Sequence, residues 1–199
     1  MLSWIDRKES IDDAFLPAIK AALHSAPWAE VKQRANELFP IPPSKDNRPL
    51  PSISDLVARQ GNVESGQKVY AGVGTCAKCH VVNKQGIEVG PDLSAIGSKL
   101  TKTAMYESIL FPSAGISHNY ENWLVQTVDG EMITGVLLGE TEKEIQLKDD
   151  KGIKHVIATG DVEQKKQQQL SLMPEGLHKE MSEQELVDLV AYLISLKKK

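Results

Sequence analysis

The sequence has no apolar run approaching the roughly 18 residues that a membrane-crossing helix needs, so no helical span is expected within it. It also lacks a block of one charge. Its 23 basic and 27 acidic residues are interspersed and sum to about −4, which removes electrostatic support for nucleic acid binding. The closing Lys197, Lys198 and Lys199 form the one basic run, read as a solvated helix end that complements the helix dipole. The opening, Met1 to Ser10, has neither the basic start nor the apolar stretch of an export signal. Cysteine is scarce, at two residues, and a pair alone leaves disulfide, zinc and redox roles open.

With 199 residues the chain can bury a real core. Residues 10 to 38 read as helical, starting at Ser10 before Asp12 and Asp13, with Ile11, Phe15, Ile19 and Ala22 at helical spacing. Pro17 is expected to kink or shorten this helix. A second helix is expected to open with Pro27 at its first position and to turn Trp28, Val31, Ala35 and Leu38 inward. Between Phe39 and Pro51 stand Pro40, Pro42, Pro43, Pro49 and Pro51, half of the 10 prolines. That composition predicts an extended, stiff linker and the best domain boundary. Short helices are expected over 54–60, closed by Gly61, and over 63–72.

From Asn122 the period changes to alternation. Trp123, Val125 and Thr127 share a face, Asp129-Gly130 marks a tight turn, and Met132 to Leu138 reads as the partner strand. Ile145 to Lys148, a turn at Asp150-Lys151-Gly152, and Ile153 to Ala158 repeat the pattern, so a small antiparallel sheet is expected over about 120–162. A final helix follows, opened by a capping box at Ser182 and Glu185 and carrying Leu186, Leu189, Val190, Leu193 and Ile194.

The chemistry sits at Cys76-Ala77-Lys78-Cys79-His80, a C-x-x-C-H run. Two cysteines three positions apart on one turn can reach the two vinyl groups of one porphyrin, and the next histidine can place an imidazole on the iron. A dithiol reading lacks the usual strand-then-helix setting, and a zinc reading lacks a second ligand pair. The motif therefore points to one covalent haem c, with His80 as a ligand of the iron. Such haem is attached outside the cytoplasm, so a periplasmic or otherwise exported location is expected. The chain is then read as a piece of a longer exported protein, or as a mature form with an added first methionine.

The motif and its flanks resemble class I c-type cytochromes. Gly66 and Tyr70 resemble that family's N-terminal helix, where glycine admits the C-terminal helix, with Tyr192 as the matching aromatic. Gly90-Pro91-Asp92-Leu93 resembles the family's proline segment; the resemblance implies that the Pro91 carbonyl accepts the proton of the proximal histidine and that Pro91 and Leu93 belong to the haem site. From about residue 50 the ordered motifs Val89 to Leu93, Glu107 to Leu110 with Pro112-Ser113, Ser171-Leu172-Met173-Pro174 and Glu185 to Asp188 resemble, more closely, the Pirellula/Verrucomicrobium type haem-binding domain. That family's domain usually ends a long exported protein, after helical repeats or a dehydrogenase-like region. The expected fold is mainly α with a β insertion, a class I cytochrome c-like core with the sheet between the proximal and distal haem segments. Residues 1–45 are read as the tail of a preceding helical region and 46–199 as the haem domain.

For the sixth ligand the candidates are Met105, Met132, Met173, Met181, His118, His155, His178 and an empty site. Met173 lies in a proline-interrupted loop before the final helix, where class I cytochromes present their methionine, so the resemblance implies Met173. Tyr120 and Trp123 can reach a haem propionate and wall the pocket; ordinary burial where helix gives way to sheet is their other reading. The expected function is one-electron transfer to or from a redox partner protein or an upstream dehydrogenase-like domain. The rivals are an open-site, peroxidase-like enzyme, a gas or redox sensor, and a structural or adhesive role for the sheet. Chain matured in an export-competent host should keep the added mass of one haem after acid and organic extraction. Recovery of the bare polypeptide from such material would overturn the reading.

Overall fold

A computed structural model describes residues 12–198; residues 1–11 and Lys199 lie outside the described residues, and with them Ser10 and Ile11 of the expected first helix. Six α-helices and a five-stranded antiparallel sheet make up the described chain. Asp12 caps a short turn over Asp13–Phe15, its carboxylate accepting the Ala14 N–H at 2.9 Å, and α1 (Leu16–Ser25) follows. Pro17 falls in the first turn, where its missing N–H costs no helical bond, so it starts the helix and does not kink it. Helix α2 (Ala29–Leu38) begins after Pro27, with Trp28 as its N-cap. Trp28 and Phe15 are each 63% exposed and Ala22 is exposed, contrary to the expected inward faces. The buried positions of this pair are Ala21, His24 and Ala35, a narrow face of small residues and one imidazole that a hydrophobic count does not register.

Residues 39–52 are extended and turning, without helix or strand, yet this stretch is held against the core. Leu50 and Ser44 are buried, and the Lys45 N–H donates to the Met181 carbonyl at 3.0 Å. His24 donates Nε2–H to the Phe39 carbonyl at 2.8 Å, and His178 does the same to Pro42 at 2.9 Å. The stiff segment is a docked strap. Helix α3 (Ile53–Ala58) opens on Ser52, whose hydroxyl accepts the Asp55 N–H.

The helical core forms where α4 (Val63–Ala71) meets α6 (Glu183–Ser195), with α5 (Lys102–Leu110) adding Met105, Tyr106, Ile109 and Leu110. Close approach is possible because position 66 has no side chain: a Cβ there would lie 1.9 Å from the Asp188 carbonyl oxygen and 2.7 Å from the Tyr192 Cβ. Tyr70 and Tyr192 meet beside it, ring centres 5.7 Å apart and tilted by 58°. The Asp188 carboxylate accepts the Asn62 N–H at 2.8 Å, tying the start of α4 to α6. The capping box at Ser182 and Glu185 is formed as expected.

The sheet consists of β1 (Asn122–Thr127), β2 (Met132–Glu140), β3 (Glu144–Lys148), β4 (Lys154–Ala158) and β5 (Val162–Gln167), in the order β4-β3-β2-β1-β5. Val125, Ile133, Ile145, Leu147 and Ile157 form its own core. Gly130 and Gly152 take positive φ in the two turns read from the sequence. Strand β5 goes beyond the expected end near residue 162. Its sequence, Val-Glu-Gln-Lys-Lys-Gln, is too polar to read as a strand, but as an edge beside β1 it needs little burial, and lysines there discourage further pairing. The sheet begins and ends at one place, where the Gln168 N–H donates to the Asn122 carbonyl at 2.7 Å.

Gly66→Ala tests the helix crossing. An alanine in an exposed helix would gain about 1 kcal/mol in propensity, whereas here overpacking should cost ~1–3 kcal/mol or more. A lower denaturant midpoint is expected for Gly66→Ala; Gly139→Ala, where nothing lies within 4 Å of the new Cβ, should show no such loss.

Candidate haem site

The cysteine turn is built by backbone hydrogen bonds. Thr75 turns the chain with φ 54°, and the Cys79 and His80 N–H groups both donate to the Cys76 carbonyl, at 3.0 and 2.9 Å. The next segment folds back on this turn: Val89 and Gly90 donate to the Cys79 carbonyl at 3.0 and 2.7 Å, and Leu93 to Val81 at 2.9 Å. His80 Nδ1–H then meets the Pro91 carbonyl at 2.9 Å. With the proton on Nδ1, the Nε2 lone pair is left for a metal. Gly90 makes room for the ring, since a Cβ there would stand 2.5 Å from His80 Cε1. From the other side the Tyr70 hydroxyl donates to the His80 carbonyl at 2.8 Å.

The cysteine turn and the Pro91 segment line a cavity of about 370 Å³, within the range of small-molecule and cofactor pockets. Cys76, Cys79, His80, Pro91, Leu93, Tyr120 and Met173 all stand on its wall, with apolar neighbours from α5 and α6 such as Ile109, Leu189 and Leu193. Trp123 does not reach it. On β1 its ring packs against the sheet core, with the Lys165 ammonium 5.1 Å from the ring centre. Among the lining residues without a site signal in the sequence are two from the sheet region: Val136 on β2, and Asp150, whose Asp-Lys-Gly context reads only as a turn. Lys148 Nζ also donates to the Glu88 carbonyl at 2.6 Å, so the sheet docks on the segment that follows the cysteines.

Most of the other candidate ligands are engaged elsewhere. Met132 is 69% exposed, His118 faces solvent beside Glu121, His155 binds Asp149 at 2.9 Å, and His178 is bonded to Pro42. Three methionines remain on the cavity wall. Met105 and Met181 are buried in the helical core, whereas Met173 is half-buried in a loop, its N–H donating to Ser171 Oγ at 3.1 Å.

Burial pushes the Cys76 thiol up to about 11, and burial followed by the nearby Asp150 charge raises Cys79. A reactive dithiol needs the opposite, an electropositive setting that lowers the thiol pKa. Among the described residues no three His, Cys, Asp or Glu side chains gather as a metal-holding group, so the pair has no zinc-type partners either. Burial lowers His80, with the Pro91 hydrogen bond acting the other way, so the imidazole is kept neutral and able to donate its lone pair. Paired thiols, an oriented imidazole and an apolar cavity on one wall fit a covalently held haem.

Residues 63–135 match the family model described as Cytochrome c. The match spans α4, the cysteine turn, the Pro91 segment, α5 and the first two strands up to Gly135, and it stops short of Met173. No curated protein matches the chain. The match supports a c-type cytochrome with covalent haem c and haem-based electron transfer, and it implies a redox partner. Among the described residues no helix is long and apolar enough to cross a membrane.

Asp150 supplies a testable charge at this site. Removing an anion from the wall of the haem cavity disfavours the ferric state, so Asp150→Asn should raise the reduction potential of the haem-loaded chain. The rise should be roughly 10–40 mV, the one-electron equivalent of the ~0.2–1 kcal/mol exerted by an exposed charge. Potentiometry at two ionic strengths should show the rise shrinking with salt.

Proposed function

We propose that the chain is a one-electron carrier whose haem iron is held between His80 and Met173. The reading is carried by one observation: His80, oriented by the Pro91 carbonyl, shares a cavity with both cysteines and with a methionine presented from a loop. When bound, the haem supplies the one-electron exchange between ferrous and ferric iron. The protein's part is to hold and tune it. Cys76 and Cys79 fix the porphyrin, His80 donates nitrogen, and the wall from α5 and α6 keeps water away. Met173 adds a soft thioether that favours ferrous iron. Met105 and Met181 serve the packing of the helices. A peroxidase-like rival would need a distal acid or base; among the described residues the wall carries no histidine besides His80 and no arginine, and its carboxylate, Asp150, stands near Cys79 on the proximal side.

The proposed architecture is a class I core with the sheet inserted between its proximal and distal segments, resembling in motif order the Pirellula/Verrucomicrobium type domain. Residues 1–45 would then end a preceding helical region and 46–199 would form the haem domain of an exported protein. The electron would be exchanged with a partner protein or a dehydrogenase-like domain.

Met173→Ala should abolish the weak near-infrared sulfur-to-iron band of the oxidised chain, lower the reduction potential and let the reduced form bind carbon monoxide. Met105→Leu and Met181→Leu should do none of these. An unsubstituted chain that lacks the band and binds carbon monoxide readily would move the open-site reading ahead.

A further inference from the structure

His178 is 2% exposed, in the short turn Leu177–Glu180 that follows the Met173-Pro174 step. Its Nε2–H donates to the Pro42 carbonyl, while its Nδ1 is buried without a partner among the described residues. An unpaired buried nitrogen costs stability that an apolar residue would not, so packing alone does not account for a histidine here. Three residues on, the Met181 carbonyl accepts the Lys45 N–H at 3.0 Å, so the loop from Met173 to Met181 is bonded to the strap at two points. The strap is itself held: His24 grips the Phe39 carbonyl, and the His24 ring stacks on Phe111 at 5.4 Å, just beyond α5. On the other side of the methionine, the Ser171 N–H donates to Ser113 Oγ at 3.1 Å.

Met173 therefore stands between two anchors. The upstream one belongs to the segment after α5, and the downstream one to the strap that leads from the N-terminal helices. We propose that His178 is the positioning residue for Met173: its hydrogen bond to Pro42 ties the methionine loop to the strap and holds the thioether on the iron. The inference rests on the Met173 assignment above. It adds that the integrity of the strap governs axial ligation, which couples the α1–α2 pair to the haem.

The full haem-loaded chain is compared with His178→Leu and with His178→Gln, whose amide N–H can still donate to Pro42. With haem attached and the helical far-ultraviolet spectrum intact, His178→Leu should lose most of the near-infrared band and bind carbon monoxide when reduced. His178→Gln should keep the band and exclude carbon monoxide. A His178→Leu chain with a full band, or a glutamine variant that fails as leucine does, overturns the proposal. Absence of the band from the unsubstituted chain would instead remove the Met173 assignment and the positioning role with it. Should His178→Leu not fold, the unsubstituted chain provides the test. Imidazole added to the oxidised protein as a competing ligand should speed hydrogen exchange at the Lys45 amide if strap and methionine are coupled. An unchanged rate overturns the proposal.

Discussion

The proximal side depends on one hydrogen bond, from His80 Nδ1–H to the Pro91 carbonyl. It selects the tautomer that leaves Nε2 its lone pair, and it fixes the ring plane. Much of the surrounding structure brings its two ends together. The Cys79 carbonyl draws in Val89 and Gly90, Leu93 closes on Val81, and Gly90 leaves the space that the imidazole fills. Tyr70 reaches the same turn from α4, and α4 is placed by its crossing with α6 at Gly66. The crossing of two helices thus sets the position of a ring that belongs to neither.

This dependence explains why the proximal half was legible in the sequence. Its determinants are local or steric: a motif of five residues, a glycine at a close approach, a proline segment and a capping box. Each leaves a residue type that few other roles demand. The strap was only half legible. Five prolines forecast its stiffness, but its docking rests on backbone carbonyls at Phe39, Pro42 and Met181, which carry no side-chain signature. Strand β5 was missed because an edge strand needs backbone pairing more than apolar residues. Trp28 misled, and of the two readings of Trp123 the pocket wall is the one the cavity does not support. A large aromatic suggests burial or a pocket wall: Trp28 does neither and caps a helix in solvent, whereas Trp123 takes the ordinary burial, following the alternation of β1 onto the sheet's own core.

The sheet is more than an appendage with a separate core. Val136 and Asp150 come from β2 and from the turn before β4, yet both stand on the cavity wall, and Lys148 is bonded to the Glu88 carbonyl. Contacts of this kind are set by how a long excursion folds back, not by the residues that flank it, so spacing along the chain does not reveal them. Their chemistry differs from that of the helical wall. Helices α5 and α6 contribute mainly hydrocarbon, whereas the turn brings a carboxylate whose charge adds to burial in raising the neighbouring Cys79 thiol. The sheet therefore adds charge to a site that the helices keep apolar, and a site's polarity is one of the levers on its reduction potential.

The two halves of the site are also held by different means. The proximal ligand is secured by the bonds of the cysteine turn, by those that fold the Pro91 segment back onto it, and by a helix crossing, so moving it means breaking the core. The proposed distal ligand lies half-buried in a loop, and its anchors are a serine pair on one side and the strap on the other. The serine anchor is one hydrogen bond and the strap anchor two, all of ordinary length, and such bonds are worth only about 0.5–1.5 kcal/mol net each. A ligand held by a few weak contacts can be displaced while the fold stays intact; one held by the core cannot. On the proposed ligation, the distal side is the more easily moved of the two, and the strap is the element that reaches it from the N-terminal helices.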